Sequence, residues 1–239
     1  MVWKGIRISD AIKTGALIAV STFVLLLLLG RTADRLIPGF AGRDEVFFVV
    51  QSLVMLFFSA YLLWRRGCIT AHSLTFLLKT PLNPGLKSGA RYSAFYFAFL
   101  SILAAVLVSL VFLAAWTSGT TVADIIKGSE VTTPFSQAVL ESKWRMFAYF
   151  TGFCFLVPIS EEIFFRGILY ESLKSRFKIK TSIVLSALIF AIGHVNNFAM
   201  SFMAGLYLAF VYEKERDLTA AITVHSALNF AALLVMIFL

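Results

Sequence analysis

Residues 16–29 carry no charged side chain, and the chain returns to long apolar stretches again and again. With 16–29 at the centre of the first, the candidate spans are 12–30, 46–64, 92–117, 146–170, 182–195, 198–212 and 218–239. A helix needs about 20 apolar residues to cross the ~30 Å hydrocarbon core of a bilayer. The runs are continuous rather than alternating, which argues against a transmembrane β-barrel. Lipid offers the backbone no hydrogen bonds, so helices remain. Composition agrees: 59% of the 239 residues are hydrophobic and 14% charged, more apolar surface than a soluble domain of this size can hide. The expected fold is all-α, a polytopic transmembrane helical bundle of seven to eight spans, the eighth arising if 74–78 or 135–140 re-enters the membrane. No internal repeat, low-complexity tract or soluble-type domain interrupts the chain, so residues 1–239 read as a single integral membrane domain.

The N-terminal run follows Lys4, Arg7 and Lys13 as a secretory leader would, but it ends in Gly30-Arg31-Thr32 without a small-residue cleavage pattern. It reads as the first span. The net charge of +8 is then a matter of topology. With the N-terminus inside, 14 basic residues fall on inner segments and six on outer ones, and Arg166 lies within a span. That asymmetry places the N-terminus in the cytoplasm. It also assigns the basic excess to orientation and anionic lipid, so the bilayer is the expected partner and nucleic acid is not. Cys68 and Cys154 sit beside a basic loop and inside an apolar run, which does not suggest a disulfide.

Ionisable side chains inside spans are costly and call for a partner or a task. Three groups stand out. In Pro158-Ile159-Ser160-Glu161-Glu162-Ile163-Phe164-Phe165-Arg166, Glu162 and Arg166 are four apart and share a helix face, fit for a charge-assisted pair. Glu161 is turned about 100° away, and Pro158 frees a carbonyl near Cys154, which predicts a local kink. The second group is His194, four residues after Phe190, with Asn196 and Asn197 placed to orient its ring or cap a helix. The third is His225 with Asn229, again four apart on one face. Each has a bland reading, respectively an interfacial salt bridge, a packed histidine and interhelical hydrogen-bonding glue. Counted at about 1.5 Å per residue, however, all three lie roughly 12–18 Å below the inner surface. Three independent accidents would not be expected to share a level.

A carboxylate, two imidazoles and an amide around one cavity can activate water for hydrolysis. Glu161 is the candidate general base, with His194 sharing or orienting the water and protonating the leaving amine. His225 and Asn229 are the candidate oxyanion donors, and Glu162 with Arg166 supports the helix that carries Glu161. The same Glu161, His194 and His225 also make a three-ligand zinc set with one open position. No HExxH pair is present, and the metal-free reading is preferred, with no cofactor firmly implied. Asp10, Asp34, Asp44, Asp124 and Asp217 all fall outside the candidate spans, so a paired-aspartate site is excluded, and no span holds a Gly-x-Ser nucleophile setting.

Glu161-Glu162-xxx-Arg166, Phe190-xxx-His194 and His225-xxx-Asn229 resemble, in order, the three signature motifs of the CAAX-processing and bacteriocin-processing (CPBP) family of intramembrane endopeptidases, which includes the type II CAAX prenyl proteases. The resemblance covers about residues 145–239, the motif-bearing part. It implies a helical bundle with a conical cavity open to the cytosol. It also implies that Glu161 and His194 activate water while His225 and Asn229 form the oxyanion site. The family has been described both as glutamate-type proteases and as metalloproteases. The chain looks like its compact bacterial members, which implies the bacterial inner membrane and a membrane-associated protein or peptide as substrate. The rival readings are a non-catalytic scaffold or bacteriocin-immunity protein of the same fold, and a proton-coupled transporter using buried Glu and His.

Overall fold

The computed structural model describes residues 6–33, 43–68, 83–119, 121 and 142–238, and among them every regular element is a helix. In chain order these are α1 (Ile8–Ala33), α2 (Asp44–Arg65), α3 (Asn83–Ser118), a composite helix α4 (143–174), α5 (Ile179–Ile192), α6 (Phe198–Glu215) and α7 (Leu218–Phe238). Five helical stretches are long and apolar enough to cross a membrane: Ile8–Leu29, Asp44–Arg65, Pro84–Ser118, Val195–Glu215 and Leu218–Ile237. The protein is an integral membrane protein built as a helical bundle. Its described spans are nonetheless fewer than the seven to eight expected. At 14 residues, α5 is about 21 Å long, short of the hydrocarbon core. The 146–170 stretch is interrupted by changes of helix type and carries three charges. The two re-entrant candidates, 74–78 and 135–140, lie outside the described residues.

The helix ends carry their own signals. Asp10, in the first turn of α1, accepts the Arg7 backbone N–H at 3.1 Å, which satisfies one of the unpaired donors at that terminus. Its carboxylate also pairs with Arg66 just beyond α2, so α1 and α2 run antiparallel. Acids open α2 and Arg65 closes it, in accord with the helix dipole. At the opposite end Glu45 pairs with Arg145 of α4 at 2.7 Å. The main core joins α1, α2, α4 and α5 through Ile18, Met55, Leu63, Phe165, Ile168 and Phe190, among others.

α3 lies against α7 on a stripe of small residues, Gly85, Gly89 and Ser93, that lets two backbones approach. A Cβ on Gly89 would stand 2.8 Å from the Ala220 carbonyl oxygen. α5 and α6 form a hairpin in similar fashion, with Gly205 so close that an added Cβ would be 3.1 Å from Ala187 Cα. Arg216 ends α6 in the left-handed region (φ 55°) and donates its N–H to the Tyr212 carbonyl at 2.7 Å. Asp217 then starts α7 by accepting the Thr219 N–H at 2.8 Å.

Ion pairs gather one end of the bundle. Glu213 holds Lys174 and Arg216, each at 2.6 Å, and Arg216 reaches Glu171 at 3.0 Å. Burial alone would lower the Arg216 pKa, but the carboxylates of Glu171 and Glu213 hold it above its ordinary value. This basic end also carries Arg7, Arg66, Arg91 and Lys178, and the site lies below it.

α4 positions the first motif, and its geometry follows from Pro158. Between Gly152 and Leu156 the helix widens into a π turn, and the Val157 N–H reaches back five residues to the Gly152 carbonyl. Pro158 has no N–H to offer Phe153. The Phe153 carbonyl is therefore free, and Asn229 of α7 donates to it at 2.8 Å. The kink expected beside Pro158 is this π turn. A second one spans Ile163–Tyr170, directly after the two glutamates.

Candidate active site

Glu161 and Glu162 both lie at the end of the α-helical segment Val157–Glu162, both buried, and they face different partners. Glu162 Oε2 takes the Arg166 Nε–H at 2.9 Å, and its Oε1 lies 2.9 Å from His225 Nδ1 on α7. Arg166 is fully buried and donates through Nη1 to Ser186 Oγ on α5 at 3.0 Å. Its guanidinium sits 5.5 Å from the centroid of the Phe190 ring. One ionic chain thus ties α4, α5 and α7 together. Removing one member of such a buried pair strands the other charge, at about 3–5 kcal/mol.

Glu161 has no such anchor. Its Oε1 is 3.9 Å from His194 Nε2 and its Oε2 is 3.8 Å from His225 Nε2. Both gaps exceed a direct hydrogen bond, and Oε2 has no hydrogen-bond partner among the described residues. The other nitrogen of each imidazole is committed: His225 Nδ1 to Glu162, and His194 Nδ1 to the Phe190 carbonyl at 2.9 Å. Each acceptor calls for a proton on Nδ1, which leaves both Nε2 lone pairs turned toward Glu161 when the rings are neutral. Three acceptors then face one gap. A water molecule placed there would supply the missing donors, since an oxygen seated off the line can lie about 2.8 Å from both neighbours of either gap.

Phe190 explains its place four residues before His194. Its ring lies 4.6 Å from the His194 ring and 5.8 Å, edge on, from that of His225, so it sets both imidazoles. Exposure is uneven. The side chains of Glu161 and His225 are 3% and 7% exposed, whereas that of His194 is 37% exposed. The gap opens past His194.

Each expected residue can now be placed. Glu161, His194 and His225 come together, and Glu162 pairs with Arg166 as its spacing suggests. Asn229 is on the His225 face but spends one amide N–H on Phe153, keeping its second. Asn196 and Asn197 neither orient the His194 ring, which Phe190 holds, nor cap α6, since Asn197 makes no side-chain capping bond. Sequence reasoning missed the Glu162–His225 bond and Ser186. The signal for Ser186 was its position four and eight residues before Phe190 and His194, on one face of α5.

Glu161, His194 and His225 are the residues that would hold a zinc ion, and their spacing is wider than a bound one leaves. Tetrahedral ligands bound at about 2.0–2.1 Å stand roughly 3.3 Å apart, closer than either carboxylate–imidazole gap. Among the described residues no three His, Cys, Asp or Glu side chains form a metal-binding group.

Compared with known proteins, residues 143–231 match the family model described as Rce1-like, type II CAAX prenyl endopeptidase Rce1-like. No curated protein and no solved structure matches the chain.

Proposed function

Because residues 143–231 match the Rce1-like model of type II CAAX prenyl endopeptidases, we propose that this membrane protein is a glutamate-type intramembrane endopeptidase of that family. It hydrolyses a peptide bond of a membrane-associated protein or peptide. The observation that carries the reading is the buried Glu161 carboxylate with an imidazole Nε2 within 3.9 Å of each oxygen. A polar triad held that way in an apolar bundle needs a task.

In the proposed reaction a water bound between Glu161 and the imidazoles loses a proton to the Glu161 carboxylate as its oxygen attacks the scissile carbonyl carbon. The C=O π electrons move onto oxygen, giving a tetrahedral oxyanion. The second amide N–H of Asn229 donates to it, as does the Nε2–H of a His225 ring that has taken up a second proton from bulk water before the reaction and keeps it throughout. The proton taken by Glu161 passes through His194, the open member of the set, to the leaving nitrogen. The C–N bond then breaks, and the products are a carboxylic acid and an amine, which then ionise by passing the acid's proton to the amine. Glu162 and Arg166 touch no reacting atom and act by fixing the His225 ring. The host is proposed to be the bacterial inner membrane, with the N-terminus in the cytoplasm.

The test is comparative proteomics of membranes carrying wild-type or Glu161→Ala protein, beside a fluorescent farnesylated CAAX peptide incubated with each purified protein. One precursor should accumulate uncleaved with Glu161→Ala, and the wild-type activity should survive chelators. Normal processing by a folded Glu161→Ala protein sinks the hydrolase reading, and chelator inhibition reversed by zinc sinks its metal-free form.

A further inference from the structure

The α5–α6 hairpin ends in the short turn Val195–Asn197, directly after His194, and both asparagine side chains there are exposed. Neither amide has a hydrogen-bond partner among the described residues. In water that would mean nothing. Val195–Glu215 is long and apolar enough to cross alone, but the neighbouring helices carry on past the tip and place it short of the far interface. His194 Nε2 lies 3.9 Å from Glu161, which fixes the tip at the depth of the site. Away from the basic end, α4 continues from Glu161 back to Lys143 and α7 from His225 on to Phe238, about 27 Å and 20 Å of further helix. From the basic side, α5 brings the tip down about 21 Å. Two polar amides therefore stand inside the apolar layer, where lipid cannot bond them and an unpartnered amide is costly.

We infer that Asn196 and Asn197 bind the backbone of the substrate, which lies as an extended peptide along the open side of His194. The inference rests on the hydrolase reading and names what that site accepts. A primary amide offers two N–H donors and a carbonyl acceptor, the complement of a strand whose own N–H and C=O groups lack partners in lipid. The placement matches the uneven exposure of the site, because His194 is the open side of the gap in front of Glu161. Exposed Ile192, Val195, Phe198 and Met200 surround the two amides, so the neighbouring substrate side chains are apolar. The two asparagines hold main chain, and the apolar rim selects side chains.

The experiment measures binding of the fluorescent farnesylated CAAX peptide to the inactive Glu161→Ala protein in nanodiscs, by anisotropy. Adding Asn196→Ala or Asn197→Ala should weaken binding about fivefold each, the size of a typical hydrogen bond, with the melting temperature unchanged. A matched peptide with one backbone amide near the scissile bond replaced by an ester should bind the parent more weakly. That penalty should shrink when the asparagine facing the ester is alanine, a coupling that a merely structural role would not produce. Affinities within twofold of the parent for both alanine variants overturn the inference, as does a parent that does not bind the peptide. Cleavage is scored separately. Weakened binding by the asparagine variants beside a wild-type protein that leaves the peptide intact keeps the binding site and removes the hydrolase. Cleavage with unchanged affinities does the reverse.

Discussion

Glu162 serves two neighbours at once, with Arg166 on one oxygen and His225 on the other, so its loss and the loss of Arg166 should not look alike. Arg166→Met removes a buried cation and leaves Glu162 charged with only the imidazole beside it, at an expected cost of about 3–5 kcal/mol. Ser186→Ala removes a single bond to the same guanidinium and should cost about 1.5–3 kcal/mol. Unfolding in detergent micelles reads both, and equal losses would contradict the geometry. Of this network the Glu162–Arg166 pair was legible in the sequence, because both residues sit on one helix at a spacing that dictates contact. The bond to His225 was not. Spacing says which face a side chain occupies and is silent on which helix comes to lie opposite.

Within α4, the π turn at Gly152–Leu156 and the missing N–H of Pro158 together leave the Phe153 carbonyl to Asn229. The two residues should therefore be coupled although they lie on different helices. In the wild type, Asn229→Ala strands a half-buried carbonyl, at about 1–3 kcal/mol. In a Pro158→Ala background the restored N–H can take that carbonyl, and Asn229→Ala should cost at least 1 kcal/mol less. A double-mutant cycle on unfolding stability measures this, and strict additivity would refute the coupling. Proline made a kink legible, but not its form. A π turn has no compositional signature, and only the register of the hydrogen bonds shows that Phe153 is the carbonyl released.

The assembled bundle puts Cys68 just past α2 at the basic end, half buried, while Cys154 is buried inside. A membrane-impermeant maleimide should modify Cys68 from the face that carries Arg7 and Lys174, and should leave Cys154 untouched. With the N-terminus in the cytoplasm this requires opened cells, and labelling of intact cells would reverse the topology. Burial raises the Cys68 thiol pKa, so the thiolate is scarce at neutral pH and the rate should climb as pH rises. Helical class and membrane residence were legible at this scale, since they follow from how much apolar surface the chain must place. Fewer stretches than expected are long and apolar enough to cross among the described residues, because hydropathy does not show that α5 is short or that α4 is broken by π turns. The short α5 has a mechanical consequence. Among the described residues the α5–α6 hairpin does not reach past this tip, so lipids on that side would tilt and shorten to meet it, dimpling the membrane beside His194. A thinned patch of that kind would lower the barrier to drawing a peptide out of the bilayer at the spot where the proposed hydrolysis takes place.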